Sequence, residues 1–269
     1  MSTETKPYFT VQDFLQGFKF GYFLDLIDDV KISDGSAKTI QYFLKLAAAL
    51  LREGFLNVDP ASSKVQPESL AWSKAFDGAA GQISLARRCF RFIRWLRSVD
   101  DLPKVLKTDG TSFIGILKRL NWCGSMTAMI VEDITTLGRL GLVDKNKTEA
   151  WSLLGNWGWF VESVTGLVIQ LQVVNQALND LNAARQALRN ANGDDIQPLV
   201  RRAYIAHTKY LLAQILLVKW ISESTASSHD LGYHNYTKTS MLLSMISAMC
   251  TVQLQAAKFW PGRKAYQEK

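Results

Sequence analysis

Between residues 72 and 93 apolar side chains return at separations of 4, 3, 4, 3, 4 and 3: Trp72, Phe76, Ala79, Ile83, Ala86, Phe90 and Ile93. This is the repeat of one face of an α-helix, and no strand can present it on one side. On a wheel of about 100° per residue the seven occupy an arc of roughly 100°. The pattern predicts a helix over 68–98, ended by Asp100, Asp101 and Pro103. Lys74, Arg88 and Arg91 fall on the other face, Arg87 and Arg94 flank the stripe, and Gly78, Ala79, Ala80 and Gly81 sit midway.

The rest of the chain follows the same period. Strand-like alternation is scarce, and only 6 prolines interrupt 269 residues, so the expected fold class is all-α, a helical bundle. Phe9, Phe14, Phe18, Phe20, Tyr22, Phe23 and Leu26 place one or two short helices in the first 33 residues. Ser33-Asp34-Gly35-Ser36 is expected to form a turn and N-cap for a helix striped by Ile40, Phe43, Leu44, Ala47, Leu50 and Leu51, with Gly54 as its stop. Residues 57–67 are a polar linker with two prolines, and 108–112 a second turn.

Composition changes near residue 148, which sets the expected division into 1–148 and 149–269. From 151 to 179 the only charge is Glu162, and the stretch opens on Trp151, Trp157, Trp159 and Phe160. From 239 to 257 there is no charge at all. About 20 apolar residues suffice to cross a bilayer, and aromatic residues favour its edges. Both segments are therefore expected to be membrane-embedded, with Asn156, Gln170, Gln172, Asn175 and Gln176 wetting the first and Gln253 and Gln255 the second. A buried helix of a bundle is the other reading of each.

The formal charge of +7 suits an anionic surface, either nucleic acid or phospholipid. Five arginines crowd into the eleven positions from Arg87 to Arg97, without zinc-finger spacing or an RNA-recognition signature, so no nucleic-acid partner is expected. Cys89, Cys123 and Cys250 are too few and too scattered for a disulfide framework or a zinc site. His229 and His234 share a polar loop with Asp230, and the pairs Asp28-Asp29, Asp100-Asp101 and Asp194-Asp195 stand where they cap helices. No phosphate loop, nucleophile elbow or HExxH motif appears, so neither an enzyme nor a cofactor or metal site is expected.

The helix 68–98 carries the functional reading. Trp72, Phe76, Ile83, Phe90 and Ile93 suit the headgroup–acyl boundary, while Lys74, Arg87, Arg88, Arg91 and Arg94 suit lipid phosphates at about 1 kcal/mol each. A stripe turned to a protein core is the commoner fate of such a pattern. Two features weigh against it here. Phe92 and Trp95 lie off the stripe, and Arg87, Arg88, Arg91 and Arg94 have no acidic partner at i±4.

Four segments resemble one family. KTIQYFLKLAAALL, with Lys38, Gln41, Tyr42 and Leu50, is similar to the opening helix of the peroxin eleven family. LARRCFRFIRWLRSVDDL looks like its Arg-rich segment through Arg87, Arg88, Phe90 and Arg91. VEDITTLGRLGLVDK matches its Leu-Gly segment through Asp133, Leu137, Gly138 and Gly141, and SMISAMCTVQLQAAKFW its C-terminal segment, ending in Trp260. The resemblance covers about 36–260. It implies a peroxisomal membrane protein that inserts an amphipathic helix into the cytosolic leaflet, self-associates as a homo-oligomer, and elongates the organelle. Its implied partners are the anionic phospholipid membrane and the peroxisomal fission machinery, a dynamin-related GTPase with its membrane adaptors. A pore-forming metabolite channel and a soluble helical adaptor remain the alternative readings.

Overall fold

The computed structural model describes residues 30–53, 67–99, 101–107, 110–191 and 196–257. The N-terminal aromatic stretch, nearly all of the 57–67 linker, most of the turn at 190–195, and Trp260 with the basic residues after 257 lie outside them. Every regular element among the described residues is a helix. In chain order these are α1 (Val30–Arg52), α2 (Pro67–Phe90), α3 (Trp95–Val99), α4 (Leu102–Lys107), α5 (Phe113–Arg139), α6 (Lys145–Arg189), α7 (Ile196–Asp230) and α8 (Thr237–Ala256).

Local chemistry explains most of the ends. α2 opens on Pro67, whose missing N–H costs nothing in a first turn, followed by Glu68 at the positive end of the dipole. Ser112 caps α5, accepting the Gly115 N–H at 3.1 Å. At the other end of α5 the Gly141 N–H donates to Gly138 O (3.1 Å) and the Leu142 N–H to Leu137 O (2.9 Å). With Gly141 at φ 76° this is a Schellman close, which only glycine adopts without strain.

Two boundaries depart from the sequence pattern. The expected turn at 33–36 is helical, because α1 already begins at Val30. Gly35 is buried there and its carbonyl accepts the Thr39 hydroxyl (3.0 Å), so packing overrides a turn-prone tetrapeptide. The helix expected over 68–98 is not continuous. It stops at Phe90, turns through 91–94, and resumes as α3.

The chain divides into two compact units. One comprises Asp34–Ile169 and Trp220–Met249; the other comprises Met1–Ser33, Gln170–Lys219 and Cys250–Lys269. In the first, α1 and α2 run antiparallel, with the Ser73 hydroxyl donating to Ala48 O at 2.9 Å and ion pairs from Arg52 to Asp77 and from Lys238 to Glu53. α5 and the start of α6 form an antiparallel hairpin so close that a Cβ on Gly124 would stand 2.7 Å from Gly158 O, and one on Gly158 would stand 2.8 Å from Gly124 O. Thr148 is buried in the first turn of α6, where a Cβ on Gly138 would meet it at 2.4 Å. Gly166 faces the Trp220 indole in the same manner, at 2.9 Å.

The interior of this unit is small and polar. Its largest fully buried side chains are Thr136, Ser73, Ser163, Ser227 and Ser247. Ser163 and Ser227 share a hydrogen bond of 2.9 Å, and Glu223 is buried between Ser247, which donates to it at 2.7 Å, and Lys38 at 3.6 Å. Meanwhile Phe43, Trp72, Phe90, Phe113, Leu142 and Leu153 stand exposed. In the second unit Leu181, Ala184 and Ala206 form the core, edged by Ala203 and Tyr210, and Gln170 donates to Ala213 O at 2.9 Å.

Among the described residues no helix is long and apolar enough to cross a membrane. This corrects the expectation for 151–179 and 239–257, which fall on α6 and α8. In α6 Ser163, Thr165 and Gln170 are buried polar packing groups, and Glu162 and Gln172 further interrupt the apolar run. In α8 Ser240, Ser244 and Ser247 supply the packed face, so the uncharged stretch is small and hydroxylated rather than greasy.

Candidate functional site

The face of α2 that packs inward is Ser69, Ser73, Ala80 and Arg87, at separations of 4, 7 and 7. These lie roughly 60–100° around the helix from Trp72 at about 100° per residue, beside the apolar stripe rather than on it. Small side chains let α1 approach closely, and the stripe is left outside. Trp72 is 60% exposed and Phe90 83% exposed. Ala79 and Ala86 are exposed too, whereas Phe76 and Ile83, nearest the packed edge, are half-buried. The Trp72 and Phe76 rings touch, 5.9 Å between centroids. An apolar ridge open to its surroundings along the length of a helix is rare on a protein that meets only water.

Ile93 does not extend this ridge. It lies in the 91–94 turn, 51% exposed, with its backbone at φ 57°. For a β-branched residue that conformation costs about 1–3 kcal/mol. It is held by Asp133 of α5, whose Oδ2 accepts the Ile93 N–H at 2.8 Å. Burial, foremost, raises the Asp133 carboxyl above the usual carboxylate range, and the Ile93 hydrogen bond partly opposes that rise.

The arginines divide into two groups. Arg87 is buried (8% exposed), donating through Nε to Asp34 Oδ1 at 3.0 Å and through Nη1 to Gln41 Oε1 at 2.7 Å. Arg91 donates to Glu132 Oε1 at 2.6 Å and lies 3.5 Å from Asp34; Arg88 lies 3.7 Å from Glu132. Burial lowers the pKa of Arg87 and Arg88, for Arg87 against the opposing pull of Asp34. Arg87, Arg88 and Arg91 thus join α1, α2 and α5 in an ionic knot; Arg87, expected to flank the stripe, and Arg88 and Arg91, expected on the other face, spend their charges on protein carboxylates and not on lipid phosphate. Arg94 and Lys74 are exposed.

Sequence reasoning missed Asp34 and Glu132 as partners because they stand 41 or more residues away from the arginines they meet. The signal was present in another form: an arginine cluster with no acid at i±4 must find its counter-charges on other elements or on a ligand. Four of the resemblance positions, Gln41, Arg87, Arg88 and Arg91, meet in this knot, and Asp133 secures the turn beside it.

The family model described as Peroxisomal biogenesis factor 11 (PEX11) matches residues 22–253. No curated protein and no solved structure matches the chain.

Proposed function

This chain belongs to the Peroxisomal biogenesis factor 11 family, whose role is in peroxisome biogenesis and proliferation, and on that premise we propose that it remodels the peroxisomal membrane by laying α2 into the cytosolic leaflet. The observation that supports this reading is the rotation of α2: its packed face is small and polar, and its large apolar residues face outward. Insertion of such a ridge to the headgroup–acyl boundary expands one leaflet relative to the other and favours curvature. Trp72, Phe76, Ile83 and Phe90 are the inserting residues. Lys74 and Arg94 attract anionic headgroups, while Arg87, Arg88 and Arg91 hold the helix in place.

Self-association and recruitment of a dynamin-related GTPase with its adaptors complete the proposed role in elongation and fission.

The test is a double substitution on the exposed ridge, Trp72→Glu with Phe90→Glu, in the full-length protein. Carboxylates there oppose insertion by several kcal/mol and leave the packed face of Ser69, Ser73, Ala80 and Arg87 unchanged. The expected result is loss of tubulation of anionic liposomes with an unchanged melting temperature. Tubulation equal to that of the unsubstituted protein would overturn the reading.

A further inference from the structure

The sequence of α2 and the structure of α2 disagree at one place, and the disagreement has a mechanical cause. The 4-3 spacing runs unbroken from Trp72 to Ile93, and residues 91–94 (Arg-Phe-Ile-Arg) contain neither glycine nor proline. Nothing local asks for a break. The break is imposed by α1 and α5: Asp133 takes the Ile93 N–H, Glu132 and Asp34 take Arg91, and Ile93 is held at φ 57°. The apolar groups in the turn and on both sides of it, Phe90, Phe92, Ile93, Leu96 and Val99, are exposed.

We propose that residues 91–94 are a latch, closed by Asp133 and Arg91 in the described conformation and opening on a lipid bilayer, where α2 and α3 merge into one helix over 67–99. This deepens the membrane-remodelling reading and rests on it. Opening releases the strained backbone at Ile93 and restores its i→i−4 hydrogen bond. It also brings Ile93 into line with Phe90, lengthening the inserting ridge by one turn. A bilayer supplies the differential interaction that shifts the equilibrium, because only the open form buries Phe90 and Ile93 on one face. In water the ionic contacts keep the ridge short.

The experiment uses the full-length protein with Cys89, Cys123 and Cys250 replaced by serine and spin labels at Gln82→Cys and Val99→Cys. Electron–electron distances are measured in buffer and on vesicles of equal parts phosphatidylcholine and phosphatidylserine. The seventeen-residue separation becomes about 25 Å along a straight helix, and a bent segment is shorter. The expected result is a short distance in buffer and the long one on vesicles. Two variants then move the equilibrium in opposite directions while losing the same side chain. Ile93→Gly relieves the positive φ and weakens the continuous helix, holding the bend with about a ten-fold shift in population. Ile93→Ala keeps the strain and favours the helix, promoting opening.

A wild-type distance that stays short on vesicles it binds and tubulates overturns the latch and leaves the remodelling role standing. Identical behaviour of Ile93→Gly and Ile93→Ala does the same. Failure of the wild-type protein to bind these vesicles at all removes the remodelling role, and the latch with it.

Discussion

The Nη1 of Arg87 donates to the side-chain oxygen of Gln41 across 2.7 Å, joining two helices whose contacting residues stand 46 positions apart. Around that bond α1, α2 and α5 share one set of charges, and the cost of disturbing it falls on folding before it falls on any partner. Arg87→Ala takes the donor from the Gln41 side-chain oxygen and leaves Asp34 with Arg91, at 3.5 Å, in its place. The expected loss is about 3 kcal/mol of stability, at the lower end of the range for breaking a buried pair because Asp34 is partly solvated. Denaturant melts followed by circular dichroism check it.

The two groups of basic residues respond differently to salt and lipid. Lys74→Ser with Arg94→Ser removes exposed charge, so liposome binding should weaken by about 1 kcal/mol per residue on anionic vesicles and hardly change on neutral ones. Wild-type binding should fall as ionic strength rises. Arg87→Ser with Arg88→Ser should instead lower the melting temperature and reduce binding to both kinds of vesicle equally. Co-sedimentation at two salt concentrations, beside a thermal melt, separates the groups.

The α5–α6 hairpin sets a second expectation. Gly124→Val puts branched methyls where even one carbon stands 2.7 Å from the Gly158 carbonyl oxygen and 2.8 Å from the Glu162 nitrogen. Backbone cannot yield as a flexible side chain can, and a loss of about 2–3 kcal/mol should follow. Gly78→Ala, with nothing within 4 Å of the added carbon, is the control and should stabilise α2 by roughly 0.5–1 kcal/mol.

Acid acts on the turn through Asp133. Its folded pKa is raised by burial, so the ionised carboxylate opposes the folded state at neutral pH, and that opposition is relieved as pH falls through the folded value. Asp133→Asn removes the charge and keeps an acceptor for the Ile93 N–H. It should melt no lower than wild type near pH 7. The stability gained by wild type on acidification toward the ordinary carboxylate range should shrink in the variant. Melting temperatures of the two proteins across pH 4 to 7, set against each other, give the difference.

Much of the fold could be read from spacing. The 4-3 repeat of α2 and the stripe of Ile40, Phe43, Leu44 and Ala47 in α1 placed two helices, and Thr108–Ser112 placed the start of α5. Spacing did not say which way the stripe faces. Trp72 and Phe90 dominate a wheel by their size, whereas the inward face is made of Ser69, Ser73 and Ala80, whose fit depends on how closely α1 approaches. The turn at 91–94 was equally hidden, since the carboxylates that hold it, Asp133, Glu132 and Asp34, stand on other helices. The apolar appearance of 151–179 and 239–257 misled for a related reason: serine, threonine and glycine lower the charge count without supplying the hydropathy of a span.

The serine and threonine interior also inverts the usual map of mutational tolerance. In a water-soluble bundle, randomising exposed positions is harmless and randomising buried large residues is ruinous. Here the intolerant interior positions are the small ones, such as Ser73, Ser163, Ser227 and Ser247, where added volume has nowhere to go. The exposed Trp72 and Phe90 should accept nearly any substitution when the selection is for abundance and very few when the selection is for organelle shape. A saturation library read out both ways would divide the chain into residues that keep it folded and residues that serve the proposed remodelling, with little overlap between the two.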